Sequence, residues 1–269
     1  MAVDVFELRV SGVEQLGQYR SLAESSATLP DGVYTTFRTY DGRRVLRLGQ
    51  HVRRLLESAA LKGTPPGTLD LPSVRSAVGA ALDATAFEES RFRLTFALPR
   101  LFLAVEPFAP LPSHLYEEGA ACLTVPVRRE NPHSKDTRFI ATASAAYRSL
   151  PAGIEEGLMV ADDGSVLEGL SSNFFAVKDG RLWTEEQRAL LGVTRALVLE
   201  VAVTVLPVER TAIRLDDGVT ECFITSVSRE VLPAVTVDGR SVGAGRPGPV
   251  TREIARRFAS LVEREAERV

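Results

Sequence analysis

Lysine is scarce in this sequence, and its chemistry differs from that of the arginines that supply most of the positive charge. The chain has 32 lysines and arginines, of which only Lys62, Lys135 and Lys178 are lysines. A lysine amine that loses its proton can attack a carbonyl carbon and form an imine, whereas arginine stays protonated. Lys62 precedes a glycine at a predicted helix end and Lys178 lies in a turn, so both have ordinary surface explanations. Lys135 has no such explanation and is the candidate nucleophile, although most lysines are simply exposed.

Length and composition leave room for an enzyme and give no sign of a nucleic-acid or membrane partner. The 269 residues are 45% hydrophobic and 25% charged, which is typical of a globular protein with one large domain or two smaller ones. A net charge of −3 provides no basic surface for nucleic acid. The first residues are acidic, unlike a signal peptide, and no apolar run reaches the roughly 18 residues of a membrane span. We therefore expect a cytoplasmic protein.

Cysteine and histidine usage argues against a metal site. Cys122 and Cys222 lie in apolar, strand-like stretches a hundred residues apart, and we predict buried thiols rather than a disulfide or a metal pair. The three histidines have no paired spacing, so no zinc site is expected.

Turn signals and hydrophobic periodicity divide the first half of the chain into strands and helices. The predicted elements are strands at residues 33–40, 44–48, 91–97 and 101–108 and helices at 48–60 and 73–84. Pro107, Pro110 and Pro112 then lie within six residues and mark a linker. We predict a small α+β domain over residues 1–110, a linker over 111–120 and a larger domain over 121–269.

The second half begins with a strand and a helix and continues with closely spaced strands. The predicted strands cover residues 121–128, 157–161, 166–167, 173–177, 181–184, 221–226 and 231–237. The predicted helices cover an alanine-rich segment at 137–150, a segment that ends near 203, and residues 251 to the end. Lys135 lies in the loop between the first strand and the first helix.

One segment of the second half matches a known signature. Residues 168–177 read EGLSSNFFAV and resemble the E-G-x-x-x-N-x-F signature of fold-type IV pyridoxal-phosphate enzymes, and Lys135 precedes Glu168 by 33 residues. The likeness extends, in the family's order, to residues 51–55, 58–59, 192–195, 233–239 and 248–251. This family contains branched-chain aminotransferases, D-amino acid aminotransferases and aminodeoxychorismate lyases. The resemblance implies an α+β fold of two domains, a small α/β N-terminal domain and a larger C-terminal domain with a β-barrel-like core.

The same resemblance implies pyridoxal 5′-phosphate as the cofactor and assigns chemistry to two residues. Lys135 would hold the resting cofactor as an imine and move a proton as general acid and base. The cofactor ring accepts electrons when its nitrogen is protonated, and the Glu168 carboxylate would hold that proton by charge attraction. Asn173 of the signature is a further candidate for cofactor binding. Read without the resemblance, Glu168 would be a glutamate that faces water on a strand pair.

A cofactor phosphate needs cationic side chains and N–H donors. Val193 and Thr194 lie at a predicted helix N-terminus, where N–H groups and the helix dipole favour an anion, and Thr194 could equally cap the helix. By resemblance, Arg54 occupies the position of a phosphate-binding arginine. Its neighbour Arg53 would point about 100° away around the helix, toward solvent. Ser228 lies in a loop that supplies further phosphate contacts in relatives.

Three residues of the first half are candidates for substrate binding. Relatives bind substrate carboxylates with arginines or backbone amides of the small domain, and strand alternation could direct Arg38 and Arg93 inward. An inward arginine needs a counter-charge, which a substrate carboxylate would provide. Arg91 shares the parity of Arg93, and each arginine could instead lie on a solvent face. Tyr34 is a candidate for the pocket wall.

Two departures from the family pattern bear on the reaction. Branched-chain aminotransferases carry a tyrosine soon after the lysine that supports the 3′ oxygen of the cofactor, whereas residues 136–140 read DTRFI here and Tyr147 is the candidate replacement. Residues 33–38, VYTTFR, look closer to the lyases, whereas residues 228–233, SREVLP, favour transaminases.

The leading prediction is an aminotransferase, of branched-chain or D-amino acid type, that acts on an amino acid and a 2-oxo acid and forms a homodimer. One alternative is an aminodeoxychorismate lyase that releases pyruvate. The other is a binding protein that has lost catalytic activity.

Overall fold

The structure of the chain is a computed structural model that describes residues 2–65 and 69–269. The chain divides into two compact units. The first unit comprises Met1–Ala109, Ser134–Ala141 and Val262–Val269, and the second comprises Pro110–His133 and Thr142–Leu261. The domain limits inferred from the sequence stay a prediction, and Lys135 belongs to the first unit.

Sixteen strands and seven helices are formed by the residues that the structure describes. In chain order they begin with β1 (Val3–Arg9), β2 (Gly12–Tyr19), α1 (Leu22–Thr28), β3 (Val33–Tyr40), β4 (Arg44–Leu46), α2 (Leu48–Ala60), α3 (Leu71–Ala84), β5 (Ser90–Ala97) and β6 (Arg100–Pro107). They continue with α4 (His114–Glu117), β7 (Ala120–Val125), α5 (Arg138–Ser149), β8 (Ile154–Val160), β9 (Val166–Gly169), β10 (Asn173–Lys178), β11 (Arg181–Trp183) and α6 (Val193–Ala202). The last elements are β12 (Val208–Glu209), β13 (Glu221–Ser226), β14 (Glu230–Val237), β15 (Arg240–Ser241), α7 (Pro249–Glu265) and β16 (Ala266–Arg268).

The first unit contains an antiparallel sheet of seven strands in the order β16-β4-β3-β5-β6-β1-β2. Strand β3 alternates strictly, with Val33, Thr35 and Phe37 buried and the residues between them half-buried. Helices α2 and α3 contribute Leu55 and Val78 to the apolar cluster on the buried face. The opposite face of β3 and β5 is therefore the more open one, and it carries the polar side chains.

The second unit contains a closed ring of strands. Strands β10, β13, β14, β7, β8 and β9 pair in that order, and the pair between Glu168 of β9 and Asn173 of β10 closes the ring. All six strands contribute buried residues to one apolar cluster, among them Cys122, Leu158 and Ile224. A ring of this size is filled by side chains, which gives the unit its core. The expected β-barrel-like core is confirmed.

Both cysteines are buried free thiols, as predicted. Burial raises the pKa of the Cys122 thiol to about 12, and it raises the pKa of Cys222 as well. Neither thiol is therefore ionised at neutral pH, and both act as small apolar core residues.

The C-terminal helix predicted from residue 251 to the end is wrong at its end. Helix α7 stops at Glu265, and Ala266 to Arg268 form β16, which pairs with β4. The Arg44 side chain also donates to the carbonyl oxygens of Glu263 and Ala266. The chain end thereby covers the open edge of β4, which a continued helix would leave unpaired.

The sequence patterns predicted no element before residue 33, where the structure has β1, β2 and α1. Strand β2 is largely exposed on both faces, so it lacks the alternation by which a strand is recognised. Helix α1 has only seven residues and is capped by the Ser21 side chain, which accepts from the Glu24 N–H. Across residues 2–65 and 69–269, the length and hydropathy required to cross a bilayer are found in none of the helices.

Candidate active site

The candidate residues fall into two groups, one in each unit. We call the first group the lysine side: Tyr34, Thr35, His51, Arg54, Ser58 and Lys135. We call the second group the glutamate side: Arg129, Glu168, Asn173, Leu190, Val193, Thr194, Thr225 and Ser228.

Lys135 is held through its main chain along the edge of β3. Its N–H donates to the Ser58 Oγ of α2 at 3.2 Å, and its carbonyl oxygen accepts from the Tyr34 N–H at 2.9 Å. The next residue, Asp136, forms an antiparallel bridge with Val33. The segment thus extends the sheet by a short stretch, and the Ser58 hydroxyl holds the Lys135 main chain against α2.

The Lys135 amine lies over an aromatic ring on the open face of the sheet. Its Nζ is 5.0 Å from the centroid of the Tyr34 ring, and the Arg93 guanidinium carbon is 5.2 Å from the same centroid. In the strand register, Tyr34 pairs with Thr95 and Thr36 pairs with Arg93, so these side chains share one face. The structure therefore brings together Lys135 and two of the predicted substrate residues.

Arg91 and Arg93, the two arginines that the sequence could not separate, have different surroundings. Arg91 forms an ion pair with Glu106. The Arg93 Nη1 donates to the carbonyl oxygen of Leu22 at 2.8 Å and to Ser26 at 2.6 Å. No carboxylate among residues 2–65 and 69–269 forms an ion pair with Arg93, and burial lowers the pKa of its guanidinium.

Arg38, the third predicted substrate residue, stacks on aromatic rings. Its guanidinium carbon is 3.9 Å from the Tyr40 ring centroid and 4.6 Å from the Phe108 ring centroid. These are cation–π distances, so the aromatic rings stabilise the positive charge. Its place on β3 puts it on the same strand face as Tyr34.

Arg54 points inward from α2, and Arg53 is exposed, as predicted from the helix geometry. The Arg54 guanidinium donates to the Thr35 hydroxyl, which lies 3.1 Å from the Nδ1 of His51. Burial, together with the positive charges of Arg54 and Lys135, holds the pKa of His51 well below its usual range. His51 is therefore neutral at pH 7, and Arg54 provides the positive charge of this cluster.

Glu168 is buried in β9, and both oxygens of its carboxylate accept hydrogen bonds. Its Oε2 accepts from the Leu190 N–H at 3.1 Å and from the Asn173 Nδ2 at 3.4 Å. Its Oε1 accepts from the Arg129 Nε at 3.1 Å. Three N–H donors favour the charged carboxylate over the neutral acid. Asn173, predicted to bind the cofactor, here orients Glu168, and its Nδ2 also donates to the Leu190 carbonyl oxygen at 2.6 Å.

Arg129 was missed by the sequence reasoning. It lies in the loop after β7, next to Arg128, and nothing in the sequence indicates which of the two points inward. In the structure Arg129 contacts Glu168, whereas Arg128 forms an exposed ion pair with Asp162. A cavity of about 510 Å³ opens beside Glu168 and has both arginines, Met159 and Leu167 in its wall. The volume is in the range of small-molecule sites.

The phosphate candidates of the second unit gather at the N-terminus of α6. Gly192 caps this helix, and a Cβ at residue 192 would lie 2.4 Å from the Asn173 Oδ1, so glycine is required there. Val193 and Thr194 form the first turn, whose N–H groups have no partner within the helix. Ser228 lies half-buried in the turn after β13.

The Thr225 hydroxyl shows whether the residues near this turn fit a phosphate. Thr225 pairs with Asn173 in the strand register, so the two side chains project from the same sheet face. The Thr225 residue is 1% exposed, and its Oγ1 has no hydrogen-bond partner within the described parts of the chain. A buried hydroxyl without a partner is unfavourable unless a ligand group accepts from it. The residues at this turn therefore fit a bound phosphate, and Thr225 was missed because its strand predicts only burial.

Behind the signature lies a buried polar cluster. Glu156 is fully buried, and it accepts from Tyr147 and from the Ser172 hydroxyl at 2.8 Å. It also forms an ion pair with Arg229 at 3.5 Å. A Cβ at Gly169 would lie 2.1 Å from the Ser172 Oγ, which explains the glycine of the signature. The Tyr147 hydroxyl, the candidate support for the cofactor 3′ oxygen, is thus engaged by Glu156.

Comparison with known proteins agrees with this arrangement. The family model described as amino-transferase class IV matches residues 32–237. The branched-chain-amino-acid aminotransferase of Pseudomonas aeruginosa is 28% identical, with 88% of this chain and 85% of that protein covered. The D-alanine aminotransferase of Bacillus licheniformis is 28% identical, with 83% of this chain and 85% of that protein covered. The crystal structure of the branched-chain amino acid aminotransferase of Escherichia coli has a TM-score of 0.79 at 22% identity, with 99% of this chain and 97% of that chain covered.

The chain belongs to the class IV aminotransferase family, and the resemblance inferred from its motifs is confirmed. It is an enzyme of the transaminase class with the fold of the fold-type IV proteins, and its cofactor is pyridoxal 5′-phosphate.

Proposed function

We propose that the enzyme exchanges an amino group between an amino acid of branched-chain or D-amino acid type and a 2-oxo acid, with Lys135 as its catalytic residue. The bound cofactor supplies the electron sink that allows the α-proton of the amino acid to leave. The observation that carries the proposal is the Glu168 carboxylate, which is held by three N–H donors in the wall of a cavity. A carboxylate fixed in this way can keep a proton on a neighbouring ring nitrogen.

Each candidate residue has a task under this proposal. Lys135 would hold the cofactor through its aldehyde carbon and move the proton, and Asn173 orients Glu168. Arg54 and the N–H groups of Val193 and Thr194 bind the phosphate, with further hydrogen bonds from Ser228 and Thr225. Cationic side chains and backbone N–H groups are the donors that suit a phosphate dianion.

The substrate carboxylate is assigned to the open face of the first unit. Arg93 is the preferred partner, because its half-buried side chain forms no ion pair within residues 2–65 and 69–269 and lies beside the same ring as the Lys135 amine. Tyr34 forms the wall, and Arg38 contributes positive charge from the same strand.

The reaction can be tested by a screen of amino donors against pyruvate and 2-oxoglutarate. We expect turnover with leucine, valine, isoleucine or D-alanine, and loss of the yellow colour when the donor is added without an acceptor. A lyase would instead release pyruvate from aminodeoxychorismate and keep its colour at each turnover. The lyase reaction is included in the test because residues 33–38, which contain Thr35 and Thr36, look closer to the lyases.

The role of Lys135 can be tested separately. Lys135→Ala removes the only amine assigned to the reaction, so we expect turnover to fall by at least about 10⁴-fold. Borohydride reduction of the yellow enzyme, followed by peptide mass spectrometry, should label Lys135 and neither of the other two lysines. Label on Lys62 or Lys178 would contradict the assignment.

We also propose that the active form is a homodimer. Helix α5 has alanine at four of its twelve positions, yet only its Phe139 is buried. Leu191 and Val203 are exposed large apolar side chains elsewhere in the second unit. A second copy of the chain would cover such surface. Light scattering during activity measurements should find two chains per particle, and an active monomer would contradict the proposal.

A cytoplasmic location also remains a proposal. The two cysteines support it, since both are free thiols and disulfides are rare in that compartment. Fractionation of cells that produce the protein, with activity assayed in each fraction, tests it.

A further inference from the structure

The second lysine of the chain lies beside the residue that follows Lys135. The Lys62 Nζ is 2.7 Å from the Asp136 Oδ2 and 3.5 Å from the Gly32 carbonyl oxygen. Lys62 itself follows α2 and donates its N–H to the Ala59 carbonyl oxygen. Its amine therefore connects the end of α2 with the start of β3 and with the segment that carries Lys135.

The hydrogen bonds around this ion pair determine where the Lys135 main chain lies. The Thr137 N–H donates to the Gly32 carbonyl oxygen at 3.0 Å, and the Gly32 N–H donates to the Thr137 hydroxyl at 3.0 Å. A Cβ at Gly32 would lie 2.3 Å from the Phe96 carbonyl oxygen, so the close approach requires glycine. Together with the Ser58 and Tyr34 contacts, these bonds attach residues 135–137 to β3 and α2.

Asp136 has two cationic partners, and only one of them connects separate elements. Burial alone would raise the pKa of Asp136, but Arg138 and Lys62 outweigh it and lower that pKa to about 2. The carboxylate is therefore charged at any pH near neutrality. Arg138 lies two residues away on the same segment and its side chain is 65% exposed. Lys62 is 32% exposed and lies 74 residues earlier in the chain.

We propose that the Lys62–Asp136 ion pair positions the reactive amine by fixing the Lys135 main chain against β3 and α2, which makes Lys62 and Asp136 positioning residues. The inference rests on the proposed role of Lys135. Small displacements of a reacting group can lower rates strongly, so a crosslink next to the nucleophile affects catalysis without touching the substrate.

The matched pair Lys62→Met and Arg138→Met tests the structural part in the apoprotein. Both changes remove one cationic partner of Asp136, but only the first removes the crosslink. Amide hydrogen exchange reports on the Tyr34 and Thr137 N–H groups directly. In Lys62→Met we expect exchange at these two amides to rise about threefold to fivefold, in the range of a partly exposed ion pair. In Arg138→Met we expect a change of less than about twofold, because β3 keeps its crosslink.

The functional part is tested with the same variants and with Lys62→Arg. We expect Lys62→Met to weaken cofactor binding, measured by the recovery of visible absorbance during titration, by about threefold to tenfold. We expect kcat to fall by about tenfold and KM to change by less than about twofold, since the substrate contacts remain. Lys62→Arg keeps the charge and should restore most of both values.

Each result has a defined meaning. Unchanged amide exchange in Lys62→Met overturns the proposal, and so does faster exchange with unchanged cofactor binding and kcat. Equal effects of Lys62→Met and Arg138→Met would show that charge on Asp136, rather than the crosslink, is what matters, which also overturns it. If borohydride labels a lysine other than Lys135, the proposed function fails instead, and the exchange data in the apoprotein still report whether the crosslink exists.

Discussion

The lysine side and the glutamate side differ in which atoms of the reactive residue the fold holds. On the glutamate side, three N–H donors contact the carboxylate of Glu168 itself. On the lysine side, hydrogen bonds hold Lys135 through its main-chain N–H and carbonyl oxygen, and its amine lies over the Tyr34 ring. A carboxylate that only has to stay charged can be bonded at its oxygens. Under the proposed function the Lys135 amine forms and releases a covalent bond, and contacts through the backbone leave that amine available.

The two sides also differ in how far along the chain their supports lie. Glu168 and Asn173 belong to one signature, and Leu190 follows 22 residues after Glu168. The Lys135 segment depends on Gly32 and Ser58, which lie about a hundred and about eighty residues earlier. A substitution far from Lys135 in sequence can therefore disturb the lysine side, whereas the three donors to Glu168 lie within 39 residues of it.

On the glutamate side, the largest effect is expected from a change of Glu168 itself. Glu168→Gln keeps the shape but removes the negative charge that, under the proposed function, keeps the ring nitrogen protonated. We expect kcat to fall by about 10²- to 10³-fold, equivalent to about 3–4 kcal/mol of barrier, with cofactor affinity changed less than about threefold. Steady-state kinetics and cofactor titration measure both quantities.

Arg129→Met is the matched variant for this prediction. It removes one of three donors and leaves the Glu168 charge in place, so the fall in kcat should be smaller than in Glu168→Gln. Near-normal turnover in Glu168→Gln would refute the role of this carboxylate.

The next largest effect is expected on cofactor affinity, when the phosphate-binding arginine proposed for the lysine side is replaced. Arg54→Met removes a buried positive charge assigned to the phosphate, and we expect cofactor affinity to fall by about tenfold to a hundredfold. Arg53→Met is the internal control, because Arg53 is exposed on the same helix and should leave affinity within about twofold. Fluorescence titration of the apoproteins with pyridoxal phosphate compares the two. Equal losses in both variants would remove Arg54 from the phosphate site.

A smaller effect is expected from the cluster behind the signature. Tyr147→Phe removes a hydrogen bond to the buried Glu156, which keeps its bonds to Ser172 and its Arg229 partner. We expect a loss of about 1–2 kcal/mol of unfolding free energy. Denaturant unfolding of the apoprotein measures this loss. The visible spectrum of the bound cofactor should stay unchanged, and a shifted absorbance maximum would instead support Tyr147 as the partner of the cofactor 3′ oxygen.

The features that could be predicted from the sequence are those that depend on residues close together in the chain, and the features that were missed depend on residues far apart in it. Once the resemblance assigns Arg54 to the phosphate, the helical geometry of α2 predicts that Arg53 points to solvent, because the direction of both side chains depends on a single element. The Lys62–Asp136 pair joins residues 74 positions apart, and no period within one element reports such a contact. Strand β16 and Arg129 were missed for a related reason, since their structure depends on a partner rather than on their own pattern.

The last expected effect is a pH dependence of stability that is specific to the lysine side. Burial and neighbouring positive charges lower the pKa of His51 in the folded protein. Below about pH 6.5, His51 is therefore protonated in the unfolded chain but stays neutral in the folded protein. Stability therefore falls as pH falls below about 6.5, by about 1.4 kcal/mol per pH unit for this one group, and the slope ends at the folded pKa. Denaturant unfolding between pH 5 and 7 should show this slope in the wild type and a flatter curve in His51→Asn. The window avoids the carboxylates of Asp136 and Glu253, whose pKa values are about 2. An equal slope in both proteins would mean that His51 is not the group that titrates.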